Sequence, residues 1–212
     1  MKNDILLVDK PKGITSFDVI RRLRKKLGIR KMGHAGTLDP LATGLLIIGV
    51  ADGTKKLKDL IGLPKTYETE ILVGRRTKTG DMEGEVVESK KVESLKIEEV
   101  AKVLEEMVGV LKLPVPVYSA IKKEGKPLYK YARQGKEVDV PIKEMKIYGM
   151  ELLGVVCGDG ECVVSVRMDV GSGTYVRSVA EEVGKRLGFP ATVKELRRTK
   201  VGEFDVKDAQ EV

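Results

Sequence analysis

The chain has 212 residues, of which 42% are hydrophobic and 33% are charged, so it has the material for a packed core, and disorder of the whole chain is excluded. Its longest apolar runs, such as residues 45–50, fall far short of the ~20 residues that a membrane helix needs, so we expect a cytoplasmic protein that does not contact a membrane. Lysine and arginine number 39 against 32 acidic residues, and the resulting net charge of +7 favours an anionic partner, nucleic acid before membrane.

The amino-terminal part of the chain predicts a strand followed by a helix. Residues 5–8 form a short apolar run typical of a buried strand. Thr15 and Asp18 indicate the start of the helix, and Gly28 supplies its end. Four apolar residues recur at helical spacing and predict its buried face: Phe17, Ile20, Leu23 and Leu27.

The remaining faces of this helix, and the residues after it, carry the densest charge run in the chain. Seven of the eleven residues at 21–31 are basic and none is acidic: Arg21, Arg22, Arg24, Lys25, Lys26, Arg30 and Lys31. An ordinary solvated helix face usually mixes both signs of charge. We therefore predict a face that contacts phosphate groups, with a merely solvated face as the alternative.

The central region predicts two further strands and a second helix. Residues 45–50 and 67–73 are expected to be strands, the latter with alternating burial. Residues 74–90 are rich in glycine and charge, which predicts a loop or flexible connection. Apolar spacing predicts a helix at 97–108 that ends at Gly109.

A proline-containing stretch and a basic segment follow this helix. Because residues 111–118 contain two prolines, we expect this stretch to be extended and irregular. Residues 122–136 are strongly basic and include Tyr129 and Tyr131, so we expect an exposed arm that grips a polyanion.

The carboxyl-terminal part predicts a hairpin and a third helix. Strands at 146–156 and 162–170 are joined by a Gly-Asp-Gly turn at 158–160. Residues 176–187 have helical spacing and end at Gly188. Strands outnumber helices and several are joined by hairpins, so the expected class is α+β with a mixed, largely antiparallel sheet flanked by helices.

Two cysteines, Cys157 and Cys162, flank the predicted hairpin turn. They are compatible with a cross-hairpin disulfide, half of a metal site, or two reduced thiols, and the expected cytosolic location favours reduced thiols. Because His34 is the one histidine of the chain, a Cys/His zinc cluster cannot be assembled, and we expect no metal.

The most unusual stretch is GHAGTLDPLATGLL at residues 33–46. Its glycines predict sharp bends at Gly33, Gly36 and Gly44, and Pro40 restricts Asp39 to an extended conformation. A carboxylate held in this way is able to act as a nucleophile, as a base, or as the cap of a turn. The residues alone leave these roles open.

This stretch, followed by GVADGTKK at 49–56, resembles the signature of the tRNA pseudouridine synthase B family, which converts uridine 55 in the T arm of tRNA. Four further motifs match in family order: KTYET at 65–69, VYSAIKKEGKPLYKYARQG at 117–135, GSGTYVRSVAEEVGKRLG at 171–188 and LRRTKVGEF at 196–204. The resemblance implies the pseudouridine synthase fold in one catalytic domain at 1–212, with an RNA-gripping arm inserted at 117–136. Members commonly continue into a small PUA-type RNA-binding domain, which is not expected within these 212 residues.

The resemblance also implies which residues form the site. Asp39 matches the catalytic aspartate, Tyr67 the tyrosine beside the target base, and Arg177 the arginine that pairs with the aspartate. His34 matches a residue that holds the T loop with its base flipped out. Three more positions match pocket residues of the family: Lys55, Tyr175 and Leu196.

The chemistry of the implied reaction fits these residue types. Breaking the N1–C1′ bond of uridine, turning the uracil and joining C5 to C1′ involves no redox change, so no cofactor is expected. A carboxylate near the ribose and base is required, and an adjacent guanidinium keeps it ionised. We expect a monomer acting on the T stem-loop of tRNA. The alternatives are a guide-RNA-dependent relative that works within a protein assembly, and a non-catalytic RNA-binding module.

Overall fold

The computed structural model describes residues 5–136 and 138–212, which divide into two compact units. The first unit contains the residues up to 69 together with 167–172 and 195–212, and the second contains 70–166 and 173–194. No helix within these described ranges is long and apolar enough to span a membrane.

The described residues form fourteen strands, five α-helices and two short 3-10 helices. In the first half of the chain these are β1 (Ile5–Lys10), α1 (Ser16–Leu27), β2 (Met32–His34), β3 (Thr43–Val50), a 3-10 helix (Ala51–Lys56), α2 (Leu57–Ile61), β4 (Lys65–Val73), β5 (Arg75–Thr77), β6 (Val86–Ser89) and α3 (Ile97–Glu106). In the second half they are β7 (Gly109–Pro114), β8 (Lys122–Lys123), β9 (Lys126–Pro127), α4 (Leu128–Arg133), β10 (Ile142–Gly158), β11 (Glu161–Val170), α5 (Val176–Leu187), β12 (Ala191–Val201), β13 (Phe204–Asp205), a 3-10 helix (Val206–Asp208) and β14 (Gln210–Glu211). Strands β4, β11 and β12 contribute residues to both units.

Both units are built on largely antiparallel sheet. In the first unit the strand order is β14-β1-β3-β12; β1 is antiparallel to β3, whereas β14 and β12 add parallel pairs. In the second unit the order is β12-β4-β11-β10-β7, and β7 is antiparallel to β10. The predicted α+β class with a mixed, largely antiparallel sheet is therefore confirmed.

Helix α1 begins and ends where the sequence predicts. Thr15 accepts a hydrogen bond from the backbone of Asp18, whose side chain accepts one in return, and Gly28 closes the helix at φ 70°. One prediction for this helix was wrong, because Phe17 is 51% exposed and Val19 takes a buried place beside Ile20. The Phe17 ring lies instead beside two arginine side chains of its own helix.

The segment 74–90 is not the predicted loop. Strands β5 and β6 pair within it as an antiparallel hairpin, and Nε of Arg76 donates to Glu88 across the pair at 3.1 Å. The charges that suggested a flexible connection therefore face one another across two strands. Residues 109–114 are likewise extended but regular, since β7 pairs with β10 up to Pro114.

The hairpin of β10 and β11 confirms one prediction and corrects another. Its turn residues Asp159 and Gly160 have φ 53° and 80°, as a tight two-residue turn requires. Cys157 and Cys162, on either side, form a disulfide, so the expectation of two reduced thiols was wrong. The two strands lie close together beside this turn, and the Cα atoms of Cys157 and Cys162 are 4.0 Å apart.

Candidate active site

In the first unit, the loop between β2 and β3 carries Asp39, and its backbone is fixed on both sides of that residue. The Ser16 hydroxyl accepts a hydrogen bond from the Leu38 amide at 2.9 Å and donates to the Leu38 carbonyl at 3.1 Å. The Gly13 amide donates to the Pro40 carbonyl at 2.8 Å. Asp39 is half-buried. Hydrogen bonds therefore fix the backbone on both sides of the Asp39 carboxylate.

A buried arginine supports the same loop from β12. Arg198 is 1% exposed, and its Nε donates to the Leu45 carbonyl at 2.7 Å while its Nη2 donates to the Gly36 carbonyl at 3.2 Å. Gly44 pairs with Arg198, and a Cβ added there would lie 2.2 Å from the Arg198 carbonyl oxygen. The predicted bends occur at Gly36 and Gly44, with φ 88° and 101°. Gly33 lies within β2 instead, so the bend predicted there was wrong.

His34, the last residue of β2, lies close enough to Arg198 for their charges to interact. Burial lowers the pKa of His34 below its ordinary value, and the Arg198 guanidinium lowers it further. Its Nδ1 is buried and has no hydrogen-bond partner within the described part of the chain. The side chain is therefore a neutral imidazole near pH 7, with one ring nitrogen not used by the fold.

Tyr67 and Leu196 lie on neighbouring strands of the first unit, β4 and β12. Hydrogen bonds from Thr69 to the Glu195 carbonyl (2.8 Å) and from Thr199 to the Thr66 carbonyl (3.4 Å) join these strands on either side of the two residues. Tyr67 and Leu196 are each 8% exposed. The structure thus brings together the two strands that carry these predicted site residues.

Lys65, two residues before Tyr67 on β4, is a buried cation that no sequence pattern singles out. Its Nζ donates to the Ile61 and Leu63 carbonyls, both at 2.6 Å, and to the Ser172 hydroxyl at 3.2 Å. Burial, with a smaller contribution from Arg198, lowers its pKa to about 8. The ammonium group therefore ties the end of α2 to the start of the strand that carries Tyr67.

Lys55 has a different environment from the other implied site residues. Its side chain is 74% exposed, and its Nζ lies 3.1 Å from Oδ1 of Asp52. The ion pair, chiefly through its hydrogen bond, lowers the pKa of Asp52. A substrate contact by Lys55 stays a prediction.

In the second unit, Arg177 is held in the first turn of α5. Its Nη1 donates to the Thr79 carbonyl at 2.9 Å, its Nη2 donates to the Tyr118 carbonyl at 3.1 Å, and Oδ2 of Asp81 lies 3.9 Å from Nη1. Asp81 is itself buried and accepts a hydrogen bond from the Thr79 hydroxyl at 2.5 Å. Two hydrogen bonds and one ion pair thus hold the guanidinium in place. The predicted pairing of Asp39 with Arg177 joins residues of the two units and stays a prediction.

A partly buried carboxyl group lies one turn further along α5. Burial raises the pKa of Glu181, and this effect exceeds the opposing influence of Arg76 and Arg177. A Cβ at Gly80 would lie 3.2 Å from Oε1 of Glu181 and 3.3 Å from Cβ of Arg177, so a glycine lets the chain pass close to both.

Tyr175, the residue before α5, has the Nζ of Lys143 at 5.9 Å from its ring centroid.

The predicted arm at 117–136 borders a cavity of about 820 Å³ in the second unit. Its lining mixes basic, aromatic and acidic side chains, and Lys123 Nζ lies 3.6 Å from a carboxylate oxygen of Asp139. The charged and aromatic members are Lys78, Tyr118, Lys123, Glu124, Tyr131, Lys136 and Asp139. The arm is folded as a short β8–β9 hairpin followed by α4, and Leu128 of α4 is fully buried.

Comparison with known proteins agrees with the motifs. A family model described as TruB family pseudouridylate synthase (N terminal domain) matches residues 24–176. The chain belongs to this family. It is 43% identical to the tRNA pseudouridine synthase B of Aquifex aeolicus over 96% of this chain and 70% of that relative, and 41% identical to that of Syntrophotalea carbinolica over 98% and 66%. It thus spans about two thirds of the length of these relatives.

Solved structures support the TruB-family fold. A Cbf5-Nop10-Gar1 complex matches with a TM-score of 0.72 and 26% identity, covering 98% of this chain and 52% of that chain. An H/ACA RNP bound to a substrate RNA containing 2′-deoxyuridine matches with a TM-score of 0.70 and 24% identity, covering 98% and 50%. The pseudouridine synthase fold predicted from the motifs is confirmed.

Among the buried charged residues that sequence reasoning missed are Arg198 in the first unit and Asp81 in the second. Both lie inside segments that were singled out for other reasons, LRRT for Leu196 and the charged segment after β4. Adjacent arginines on a strand face opposite sides, so one of the pair at 197–198 had to point inward, and this was the available signal. No group of three or more His, Cys, Asp or Glu side chains is arranged to hold a metal ion among residues 5–136 and 138–212.

Proposed function

We propose that this chain isomerises uridine 55 in the T loop of tRNA to pseudouridine. The observation that carries the proposal is the 41–43% identity to tRNA pseudouridine synthases B across nearly the whole chain. The solved complexes that share the fold are less similar, at 24–26% identity, and the more similar relatives favour a tRNA substrate.

Asp39 carries the chemical step in this proposal. The N1–C1′ bond of the uridine breaks, the freed uracil turns, C5 bonds to C1′, and the C5 proton is released while N1 gains one. A carboxylate at this place acts on the sugar or base as nucleophile, or on the sugar as base. The hydrogen bonds at Leu38 and Pro40 support this role, because they fix the chain that aims the carboxylate.

Tyr67 and Arg177 assist the reaction. The buried position of Tyr67 suits a ring that stacks on the loose uracil, with a hydroxyl that takes part in removing the C5 proton. The guanidinium of Arg177, fixed by the carbonyls of Thr79 and Tyr118, suits a group that keeps the catalytic carboxylate ionised.

Binding requires that the uridine leave its stack. An enzyme that acts on a base in this way needs a pocket for the base and groups that hold the emptied loop. His34, a neutral and partly exposed imidazole, supplies such a group, and the basic arm binds the backbone.

The test is to incubate the protein with an unmodified tRNA transcript and to map pseudouridine at each position. We expect modification at position 55 without any guide RNA, and none in a transcript with cytidine there. Asp39→Asn should abolish turnover and leave tRNA binding within a few-fold, since the amide keeps the size but loses the charge. Asp159→Asn, at the exposed hairpin turn, is the matched control and should retain full activity. Substantial turnover by Asp39→Asn would remove that residue from the catalytic role, and dependence on an added guide RNA would contradict the proposed substrate.

A further inference from the structure

Helix α1 in the first unit presents an aromatic ring to solvent. Phe17 is 51% exposed, although the helix buries Val19, Ile20 and Leu23 against the sheet. The guanidinium groups of Arg21 and Arg24 lie 5.8 and 5.5 Å from the centre of the ring. About half of the side chain is therefore accessible, with two guanidinium groups beside the ring.

The exposed face of α1 is positively charged without compensation. Asp18 is the one acidic residue of the helix, and its carboxylate is engaged by Thr15 and by Arg21. Arg22, Lys25 and Lys26 are exposed and form no ion pair with any residue in the described ranges. Helix α3 differs, since Lys96, the residue that caps its start, pairs with Glu99, and Lys102 within it pairs with Glu106.

This face is joined directly to the catalytic loop. Ser16, next to Phe17, makes both hydrogen bonds that hold Leu38, and Leu38 precedes Asp39. A nucleic acid whose target nucleotide lies at Asp39 therefore has α1 as an adjacent surface of the same unit. Phosphates next to a base stacked on Phe17 would meet the cations of α1.

We propose that α1 binds the substrate RNA, with an unpaired base stacked on Phe17 and the neighbouring phosphates held by Arg22, Lys25 and Lys26. The inference rests on the proposed function in one respect, that the RNA is the strand carrying the target uridine. Stacking on an aromatic side chain tolerates every base, because each base has a π face, and a polyanion satisfies the three cations. The positive charge of this face and the exposed aromatic ring thus together point to a nucleic acid as the partner.

The first test measures stacking. Each unpaired position of a T stem-loop RNA is replaced in turn by 2-aminopurine, whose fluorescence falls when it stacks, and binding is titrated by anisotropy. Phe17→Ala should weaken binding about five- to a hundred-fold, the range found for the loss of one stacked base, and restore the fluorescence of one position. Phe17→Trp keeps an aromatic ring at this position and should bind with the affinity of the wild-type protein. Tyr148→Ala removes a 57% exposed aromatic from β10 and should change neither signal.

The second test measures the binding of phosphate groups. The double variant Lys25→Gln/Lys26→Gln should reduce the slope of log Kd against log salt by about 0.7–0.9 for each phosphate that is no longer neutralised. The matched double variant Lys96→Gln/Lys102→Gln should leave the slope unchanged, because those lysines are engaged with acidic neighbours.

Unchanged affinity, fluorescence and salt slope in the α1 variants would overturn the inference, and this is also the outcome if α1 serves an acidic protein partner instead. Both tests measure binding and not turnover. Failure of the wild-type protein to form pseudouridine would therefore contradict the proposed function. The α1 measurements would still decide whether α1 binds RNA.

Discussion

Arg177 illustrates how a single guanidinium is positioned by main-chain groups. Two carbonyl oxygens, from Thr79 and Tyr118, accept from separate nitrogens of its fork, and Oδ2 of Asp81 lies 3.9 Å from Nη1. A point charge on a flexible stem is unable to reproduce such planar contacts. The geometry of this residue is therefore as specific as its charge.

We predict that Arg177→Lys loses at least about a hundred-fold in turnover while tRNA binding changes little. It should also lower the free energy of unfolding by about 1–3 kcal/mol, because a buried carbonyl is left without a donor. Single-turnover kinetics and urea unfolding measure the two effects. Arg186→Lys, near the end of the same helix in a more exposed pair with Glu182, is the control and should leave both unchanged. Normal turnover by Arg177→Lys would show that the fork is not required.

Lys65 predicts a dependence of stability on pH. Its folded pKa of about 8 lies below its ordinary value of 10.5, so between these values the unfolded chain binds more protons than the folded one. The burial penalty is fully present below pH 8 and is relieved as the pH rises towards 10.5. The free energy of unfolding should therefore gain a rising contribution over pH 8–10.5 that is missing in Lys65→Met. Urea unfolding at several pH values tests this, and identical pH slopes for the two proteins would contradict it.

At the scale of elements, the junction of β3 with β12 depends on a glycine. Gly44 has φ 101°, and any side chain there would collide with the backbone of Arg198, which has no freedom to move aside within a sheet. The glycine is thus required by close approach as well as by conformation.

We predict that Gly44→Ala destabilises the protein by about 3 kcal/mol or more, the sum of backbone strain and overpacking. Gly28→Ala is the matched control: its φ is also positive, at 70°, but nothing lies within 4 Å of the added Cβ. That variant should lose only about 1–2 kcal/mol. Equal losses in thermal unfolding of the two variants would mean that the contact with Arg198 is unimportant.

Local chemistry made the ends of the elements predictable. Thr15, Asp18 and Gly28 bound α1 through contacts with their own neighbours, and the turn at 158–160 needs only residues that accept positive φ. The exposure of Phe17 was not predictable, because helical spacing alone does not decide which side of an apolar arc meets the sheet. The resemblance supplied Asp39 and Arg177, whereas the buried ion pair with Asp81 and the support from Arg198 are tertiary contacts that no spacing encodes.

At the scale of the whole molecule, the net charge of +7 is unevenly placed. The uncompensated cations of α1 belong to the first unit, and the basic arm at 117–136 belongs to the second. Each unit therefore has its own attraction for a polyanion, and both surfaces lie within this chain.

We predict that an isolated T stem-loop is modified with a kcat/KM within about tenfold of full tRNA, a difference of ~1.4 kcal/mol. The reason is that the groups proposed to recognise the T arm, His34 and the basic arm, all lie in this chain. Competition of the two RNAs in one reaction measures the ratio directly. A preference of about a thousandfold for full tRNA would place the main recognition elsewhere.

The hydrogen bonds between Ser16 and Leu38 link the loop that carries Asp39 to the end of a helix, the part that opens most readily. Helix ends fray, and the Leu38 amide is protected by a hydroxyl in the first turn of α1 and not by another strand. Fraying of that turn and release of the loop are thus one cooperative event. In amide hydrogen exchange, Leu38 should exchange together with the first turn of α1, and a change that strengthens the Thr15 cap should slow both.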